Sequence, residues 1–536
     1  MDKNNEYFNL KNKNINELNS SFGKIKDDYF NFNQIEKYFK KKGHANAHQI
    51  VSDKTCADLD VQELFMFLDR TTSKVGQQFL YNKLRTIPFR EDEAIKVKEE
   101  IIYLLTQRPD FRLDVQIQLS KLKNDKSFYI SSLFQEDHIE PPKWFILIKL
   151  LSFTSIVSFI LMFFNAHLFF VFLATFVFNL GVHYWNKNNL YPYLACLPQL
   201  LKLQQVAKVL FNNSNFKKLN PNLEKPLSTI SKLKSKMFLF RLEAGVQGDF
   251  ETIFWAFLEL FKIAFLMEPL LLFGVLEVLD KKRHEVESIF DFVGEVDSLV
   301  SITSLRSALN VYCHPKIVDE NVKMKTESIY HPLIKECVSN SIYLNDKSVL
   351  LTGSNMSGKT SFIRAIGINV LTGLTLNTCF AEQFSMPWLK LYSAIRISDD
   401  LLNDKSYYFE EVISIKEMID NSRTPEANLF LLDEIFKGTN TIERIAAGKA
   451  VLSYLSQNNN TVFVSTHDIE LADLLLDEYD LYHFSEKVDE QTVAFDYKIK
   501  TGKLKNRNAI KILEVNNYPE SIISEAIAIA RVLDKG

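Results

Sequence analysis

Eight residues, Gly353 to Thr360, have types and spacings that suit holding a run of phosphates. They fit G-x-x-x-x-G-K-[ST] at Gly353, Gly358, Lys359 and Thr360. The glycines let the backbone curl so that successive N–H groups face a β-phosphate. Lys359 reaches the β/γ oxygens, and Thr360 offers a hydroxyl to Mg²⁺. Ser354, Asn355, Met356 and Ser357 between the glycines, with Ser361 beyond Thr360, complete the candidate nucleotide-binding loop. Further along, the apolar run Leu429 to Leu432 ends in Asp433 and Glu434. Asp433 suits the Mg²⁺ shell, and Glu434 suits orienting and deprotonating an attacking water. A third run, Thr461 to Ser465, ends in Thr466-His467-Asp468, which makes His467 a candidate γ-phosphate sensor.

These groups need a common edge. Ser348 to Thr352 reads as a buried strand feeding the loop, with a helix beginning near Lys359. The other two apolar runs read as parallel strands of the same sheet, whose carboxyl ends are where α/β folds gather ligands. The fold class expected is therefore an α/β P-loop NTPase domain in the C-terminal part, 328–536.

With these motifs in place, the sequence resembles the MutS family of mismatch-repair ATPases, whose nucleotide domains are relatives of ABC ATPases. The family's TG-x-NM-x-GK stands here as Thr352-Gly353-Ser354-Asn355-Met356-Ser357-Gly358-Lys359, and its DE-I-x-x-GT-x-T stands as Asp433 to Thr441. Its TH motif stands as Thr466-His467, its S-x-x-x-x-E loop as Ser406 to Glu411, and its HP dipeptide as His331-Pro332. The resemblance implies ATP and Mg²⁺ as cofactors, with Glu434, Lys359 and His467 acting on the γ-phosphate and Thr360 and Asp433 on the metal. It also implies a homodimer in which Ser406 reaches the ATP of the other subunit in trans, and double-stranded or branched DNA as a partner. Upstream, Leu68 to Gly76 is similar to the opening of the family's helical core, and Glu295 to Leu299 to the return of its lever helices.

The departures from the family pattern are specific. No Phe-x-Glu mismatch-reading motif precedes the helical core. Cys337 stands where an aromatic commonly stacks on adenine, which leaves Tyr497 for that role. Arg507-Asn508-Ala509 replaces Ser-Tyr-Gly, and no nuclease-like extension follows the last helix, so separate cutting activity is not expected.

Composition adds a second theme. The net charge of −3 and pI near 6.4 carry no global footprint of a dedicated nucleic-acid binder, so DNA contact would be local. Five cysteines without CxxC spacing read as reduced packing residues rather than a zinc site. The start lacks an apolar signal segment. From Leu150 to Trp185, 36 residues pass without one Asp, Glu, Lys or Arg, more than a single crossing of about 20 residues needs.

Division at Asn165-Ala166-His167 gives a transmembrane helical hairpin, roughly Trp144 to Phe164 and His167 to Trp185. Lys143, Lys149 and Lys187 at the open end put both flanks in the cytoplasm of a cell-membrane protein, and Trp144, Tyr184 and Trp185 suit an interfacial belt. Ile253 to Leu279 is apolar but carries Glu259, Lys262, Glu268 and Glu277, and is expected as one long packed helix rather than a span. The expected organisation is a polar segment 1–48, an all-α core-like region 49–143, the hairpin 144–186, a lever-like region 187–327 and the ATPase domain. An ABC-type transporter-associated ATPase is the alternative, against which stand the missing LSGGQ signature and the single hairpin. An ATP-regulated membrane scaffold that binds no DNA is the other.

Overall fold

Ser348–Thr352 is buried at all five positions, as a strand covered on both faces must be, and its Val-Leu-Leu centre has the composition such a strand needs. The computed structural model describes residues 15–233, 249–318, 323–354, 356–396, 407–488, 493–504, 509–516 and 518–533. The chain forms two compact units. One comprises Met1–Gly43, Leu68–Asn82 and Glu91–Ala308; the other comprises His44–Phe67, Lys83–Arg90 and Leu309–Gly536.

In the second unit six strands form the main sheet: β1 (Ser348–Thr352), β2 (Leu389–Ala394), β3 (Ala427–Asp433), β4 (Asn460–Ser465), β5 (Tyr479–His483) and β6 (Lys500–Thr501). Their order is β6-β5-β1-β4-β3-β2, parallel throughout except for β6. Pairing of Ser465 with both Leu351 and Asp433 brings the ends of β1, β3 and β4 to one level. Leu350, Phe430, Leu432, Val462 and Val464 are fully buried between the sheet and its helices, each stabilising by about 1.5–3 kcal/mol. A smaller four-stranded sheet runs in the order Lys316–Ile317, Gln383–Met386, Met324–Ile329, Asn340–Leu344.

The edge strand β2 is covered from far upstream. Gln49 mimics a strand, donating through Nε2 to the Leu391 carbonyl and accepting from the Leu391 N–H through Oε1, at 2.8 and 2.7 Å. Asp58 accepts from Ser393 Oγ and the N–H groups of Ile395 and Arg396 at 2.6–3.0 Å. An exposed edge is thereby closed, and residues 49–67, grouped with the helical core on sequence grounds, cluster with the sheet.

The first unit is helical. Its elements here are α1 (Lys74–Arg85), which runs on into the other unit's residues, α2 (Asp92–Gln107), α3 (Phe145–Leu161), α4 (Leu168–Phe211), α5 (Asp249–Phe265), α6 (Met267–Asp280) and α7 (Arg283–Ala308). Asp297 on α7 accepts from Thr72 N, Ser73 N and Ser73 Oγ at 2.6–2.8 Å, while Ser301 Oγ accepts from Arg70 N at 2.8 Å. Asp69, wholly buried, takes Lys26 Nζ at 2.9 Å and Gln77 Nε2 at 2.7 Å. Two stretches singled out by resemblance, Leu68 to Gly76 and Glu295 to Leu299, are thus one knot.

Two expectations change. The apolar segment 253–279 is not one helix: Leu266 adopts φ 48° and splits it into α5 and α6. The expected pair of spans is uneven. Among the described residues one helical window, Leu168–Trp185, is long and apolar enough to cross a membrane, with mean hydropathy 1.7 and 17% of it buried. Phe145–Leu161 is shorter, and α4 continues well past Trp185 to Phe211, running through Pro192 and Pro198.

Candidate functional site

The loop between β1 and α8 (Lys359–Leu376) is shaped by its glycines. Gly353 has φ 152°, and a Cβ there would lie 2.7 Å from the Phe484 carbonyl and 2.9 Å from Ser357 Oγ. Gly358 has φ 106°, a left-handed conformation that only glycine adopts freely. Met356, at φ 69°, is 82% exposed. Ser357 Oγ donates to the Ser354 carbonyl at 2.8 Å, and Ser354 Oγ pairs with Glu486 at 2.6 Å. Lys359 is buried, and its ammonium donates to the carbonyls of Gly353 and Ser354 at 2.9 and 2.8 Å. Burial pulls its pKa below the ordinary lysine value, with Glu434 and Asp433 opposing that pull. The α8 N-terminus and this cation together favour an anion in the loop.

Across the strand ends, Thr360 Oγ1 donates to Asp433 Oδ2 at 2.7 Å, and Ser465 holds the other Asp433 oxygen. A hydroxyl and a carboxylate so placed are a hard-oxygen pair that fits Mg²⁺. Glu434 follows at φ 52°, its N–H donated to the Ser465 carbonyl at 2.9 Å. Its carboxylate meets His467 Nε2 at 2.8 Å and Lys437 Nζ at 2.5 Å. Burial alone would raise the Glu434 pKa, but His467 and Lys437 outweigh it and bring it down to about 2. The loop after β4 is pinned by Arg444 on α10 (Thr441–Leu455; α9 is Tyr407–Asn421), whose guanidinium grips Asp468 at 2.8 and 2.6 Å.

A cleft of about 560 Å³ opens beside the loop, lined by Tyr330, His331, Cys337, Met356, Lys359, Glu434 and Tyr497 among others. His331 is pushed down to about 4, first by burial and then by Arg364, and its Nδ1 accepts from the Leu333 N–H at 3.3 Å. A neutral imidazole therefore faces the cleft. Tyr497, at φ 52°, stacks on Phe495 with centroids 5.9 Å apart and lies 3.3 Å from where a Gly358 side chain would begin. Cys337 and Tyr497, set at the adenine position by resemblance, share this wall.

The structure brings together Gly353, Ser354, Met356, Ser357, Gly358, Lys359, Thr360, Ser361, Asp433, Glu434, His467 and Tyr497 in one region of the second unit. Asn355 and Ser406 lie outside the described residues. Sequence reasoning missed Glu486, Lys437 and Arg444 as supports. Arg444, three residues into a helix opened by the Asn440 cap, carries no local mark of its distant partner Asp468.

Comparison with known proteins agrees with this geometry. Residues 349–534 match the family model described as MutS domain V. The chain is 26% identical over 264 residues to the DNA mismatch repair protein MutS of Aquifex pyrophilus, covering 47% of this chain and 30% of the relative. To MutS of Petrotoga mobilis it is 28% identical over 265 residues, covering 47% and 32%. To the DNA mismatch repair protein MSH3 of Kluyveromyces lactis it is also 28% identical over 265 residues, covering 46% and 25%. The matched part spans about a third or less of these relatives' lengths.

Proposed function

We propose, from the premise that this chain belongs to the MutS family through residues 349–534, that it binds and hydrolyses ATP in a site completed by a second copy of itself. The observation that carries this is the ionised Glu434 set immediately after the Thr360–Asp433 pair at the mouth of the phosphate loop. Lys359 and the loop N–H groups hold the β- and γ-phosphates, and Thr360 and Asp433 hold Mg²⁺. The metal, when bound, neutralises charge on the phosphate oxygens. Glu434 accepts a proton from the attacking water as the bond to the leaving ADP oxygen breaks. His467, tied to Glu434 at 2.8 Å, sits where it can report the γ-phosphate to that base. Tyr497 covers the adenine, and Ser406 of the partner subunit closes the site.

Double-stranded or branched DNA is the partner this reading assigns, on the strength of the relatives' names as DNA mismatch repair proteins. The α3–α4 pair anchors the chain in a membrane, supported by the uncharged run from Leu150 to Trp185 and by outward apolar side chains, such as Phe153 and Phe178 at 67% and 69% exposure.

The decisive variant is Glu434→Gln. Turnover should fall at least about a hundredfold while nucleotide affinity stays within about threefold; unchanged turnover sinks the assignment. In detergent, duplex or branched DNA should raise ATP turnover, and binding should weaken steeply with salt as phosphate contacts are lost. A response indifferent to DNA would leave an ATP-regulated scaffold.

A further inference from the structure

The helices around the uncharged segment are built inside out. On α3 the buried positions are Ile148, Ser152, Ser155 and Ser158, and on α4 they include Thr175, Asn179 and His183, both at helical spacing. The polar groups bond to one another: Ser155 Oγ donates to Thr175 Oγ1 at 3.0 Å, and Asn179 Nδ2 donates to Ser155 Oγ at 3.1 Å. Phenylalanines and leucines point outward instead. A water-soluble bundle sorts its side chains the other way.

α5 packs into this pair and shares its inversion. Phe257, Leu260 and Phe261 are exposed, at 69%, 51% and 49%, whereas Lys262 is buried. The helix stops at Leu266, whose left-handed φ of 48° turns the chain back into α6 without a glycine. Such a break leaves terminal carbonyls without helical donors. The neighbouring helices supply two of them: Asn179 Nδ2 donates to the Ala264 carbonyl and Ser152 Oγ to the Phe265 carbonyl, each at 2.7 Å. Irregular backbone at hydrocarbon depth survives only where protein satisfies it in this way.

The depth of the break follows from the partners. Asn179 lies eleven residues along α4 from Leu168, or about 17 Å at 1.5 Å per residue, in an apolar window of 18 residues, about 27 Å long. The break therefore sits roughly midway. The charges that argued against a span lie below it, toward the end carrying Trp144 and Trp185, whose rings are 4.7 Å apart. They are paired there. Lys262 meets Glu259 at 2.7 Å, and His183 lies between Glu259 at 3.4 Å and Glu268 at 3.5 Å.

We infer that α5 and α6 form a re-entrant helical pair, entering the bilayer beside α3–α4 from the open end and turning back at Leu266 about halfway across, with acyl chains covering Phe257, Leu260 and Phe261. This rests on the membrane reading of α3–α4 above. Its test is spin-label depth in the full chain reconstituted in phosphatidylcholine vesicles, with the parent chain's own cysteine signal subtracted. Phe170→Cys and Phe178→Cys calibrate α4; Phe257→Cys and Phe261→Cys report α5.

Both α5 labels should be accessible to oxygen and shielded from a water-soluble nickel chelate. Phe261→Cys should lie about 6 Å deeper than Phe257→Cys and no deeper than Phe178→Cys, near the middle of the apolar window. Lipid-deep α4 labels with water-exposed α5 labels would overturn this inference and leave the hairpin standing. Water exposure at all four positions would overturn both, and a Phe257→Cys label as deep as or deeper than Phe261→Cys would make α5 a full crossing and overturn the halfway turn. Asn179→Leu, which removes the donor to Ala264, should cost the Phe261→Cys label its shielding while Phe170→Cys keeps its depth; equal shielding in that variant would remove the carbonyl-satisfaction argument.

Discussion

Asp297 is a carboxyl group with no exposure, facing three donors from Thr72 and Ser73. Burial raises its pKa to about 6 from 3.8, while Ser73, Thr72 and Lys26 pull the other way without overcoming it. The sign follows from linkage: a folded pKa above the unfolded one means that the neutral form is favoured by folding. That contribution is whole below about pH 4 and is lost as pH rises through about 6. Its size is on the order of 2–3 kcal/mol at most. Asp297→Asn cannot titrate, so the urea unfolding free energy at pH 4 minus that at pH 7 should be higher in the parent than in the variant by an amount in that range. An identical difference in both proteins would mean that Asp297 titrates normally. The variant should also be weaker overall, because an amide accepts through one oxygen where the carboxylate used two, leaving a buried donor short.

At the scale of elements, the approach of α1 to α7 depends on two glycines. A Cβ on Gly76 would lie 2.1 Å from Asp297 Oδ2 and 2.6 Å from its Cβ, and one on Gly294 would lie 2.5 Å from Phe79 Cβ. Asp297 cannot swing aside while Ser73 and Thr72 hold it. Gly76→Ala and Gly294→Ala should each cost about 2–4 kcal/mol in denaturant unfolding. Gly274→Ala on α6, where nothing lies within 4 Å, should be neutral or stabilise by about 0.5–1 kcal/mol; equal losses at all three would refute the packing argument. The elements of the second unit were legible because their signals are local: a wholly apolar β1, glycines at a fixed interval, and acids or a histidine at strand ends. Where reasoning fell short, the cause is distant or unmarked. Leu266 breaks a continuous apolar run with a left-handed leucine, which hydropathy does not reveal. Gln49 and Asp58 join β2 through hydrogen bonds to residues more than 300 positions away, and Tyr497 reaches the cleft on a backbone kink.

For the molecule as a whole, the proposal that two copies share each ATP site makes a claim that neither single variant tests. Ser406→Ala and Glu434→Gln should each abolish turnover, but a damaged residue could do so wherever it acts. Mixing the two inactive proteins separates the cases. If Ser406 acts in trans, a mixed dimer gathers both defects into one site and leaves the other with an intact Glu434 facing an intact Ser406. Random pairing makes half the dimers mixed, each with one working site, so turnover should recover to about a quarter of the parent value if the sites act independently. If Ser406 serves the ATP of its own subunit, every site in every dimer carries a defect and no recovery occurs. Measuring turnover across mixing ratios strengthens the test. Recovery in trans must peak at equal amounts and vanish at both extremes, a shape that contamination by parent enzyme cannot produce.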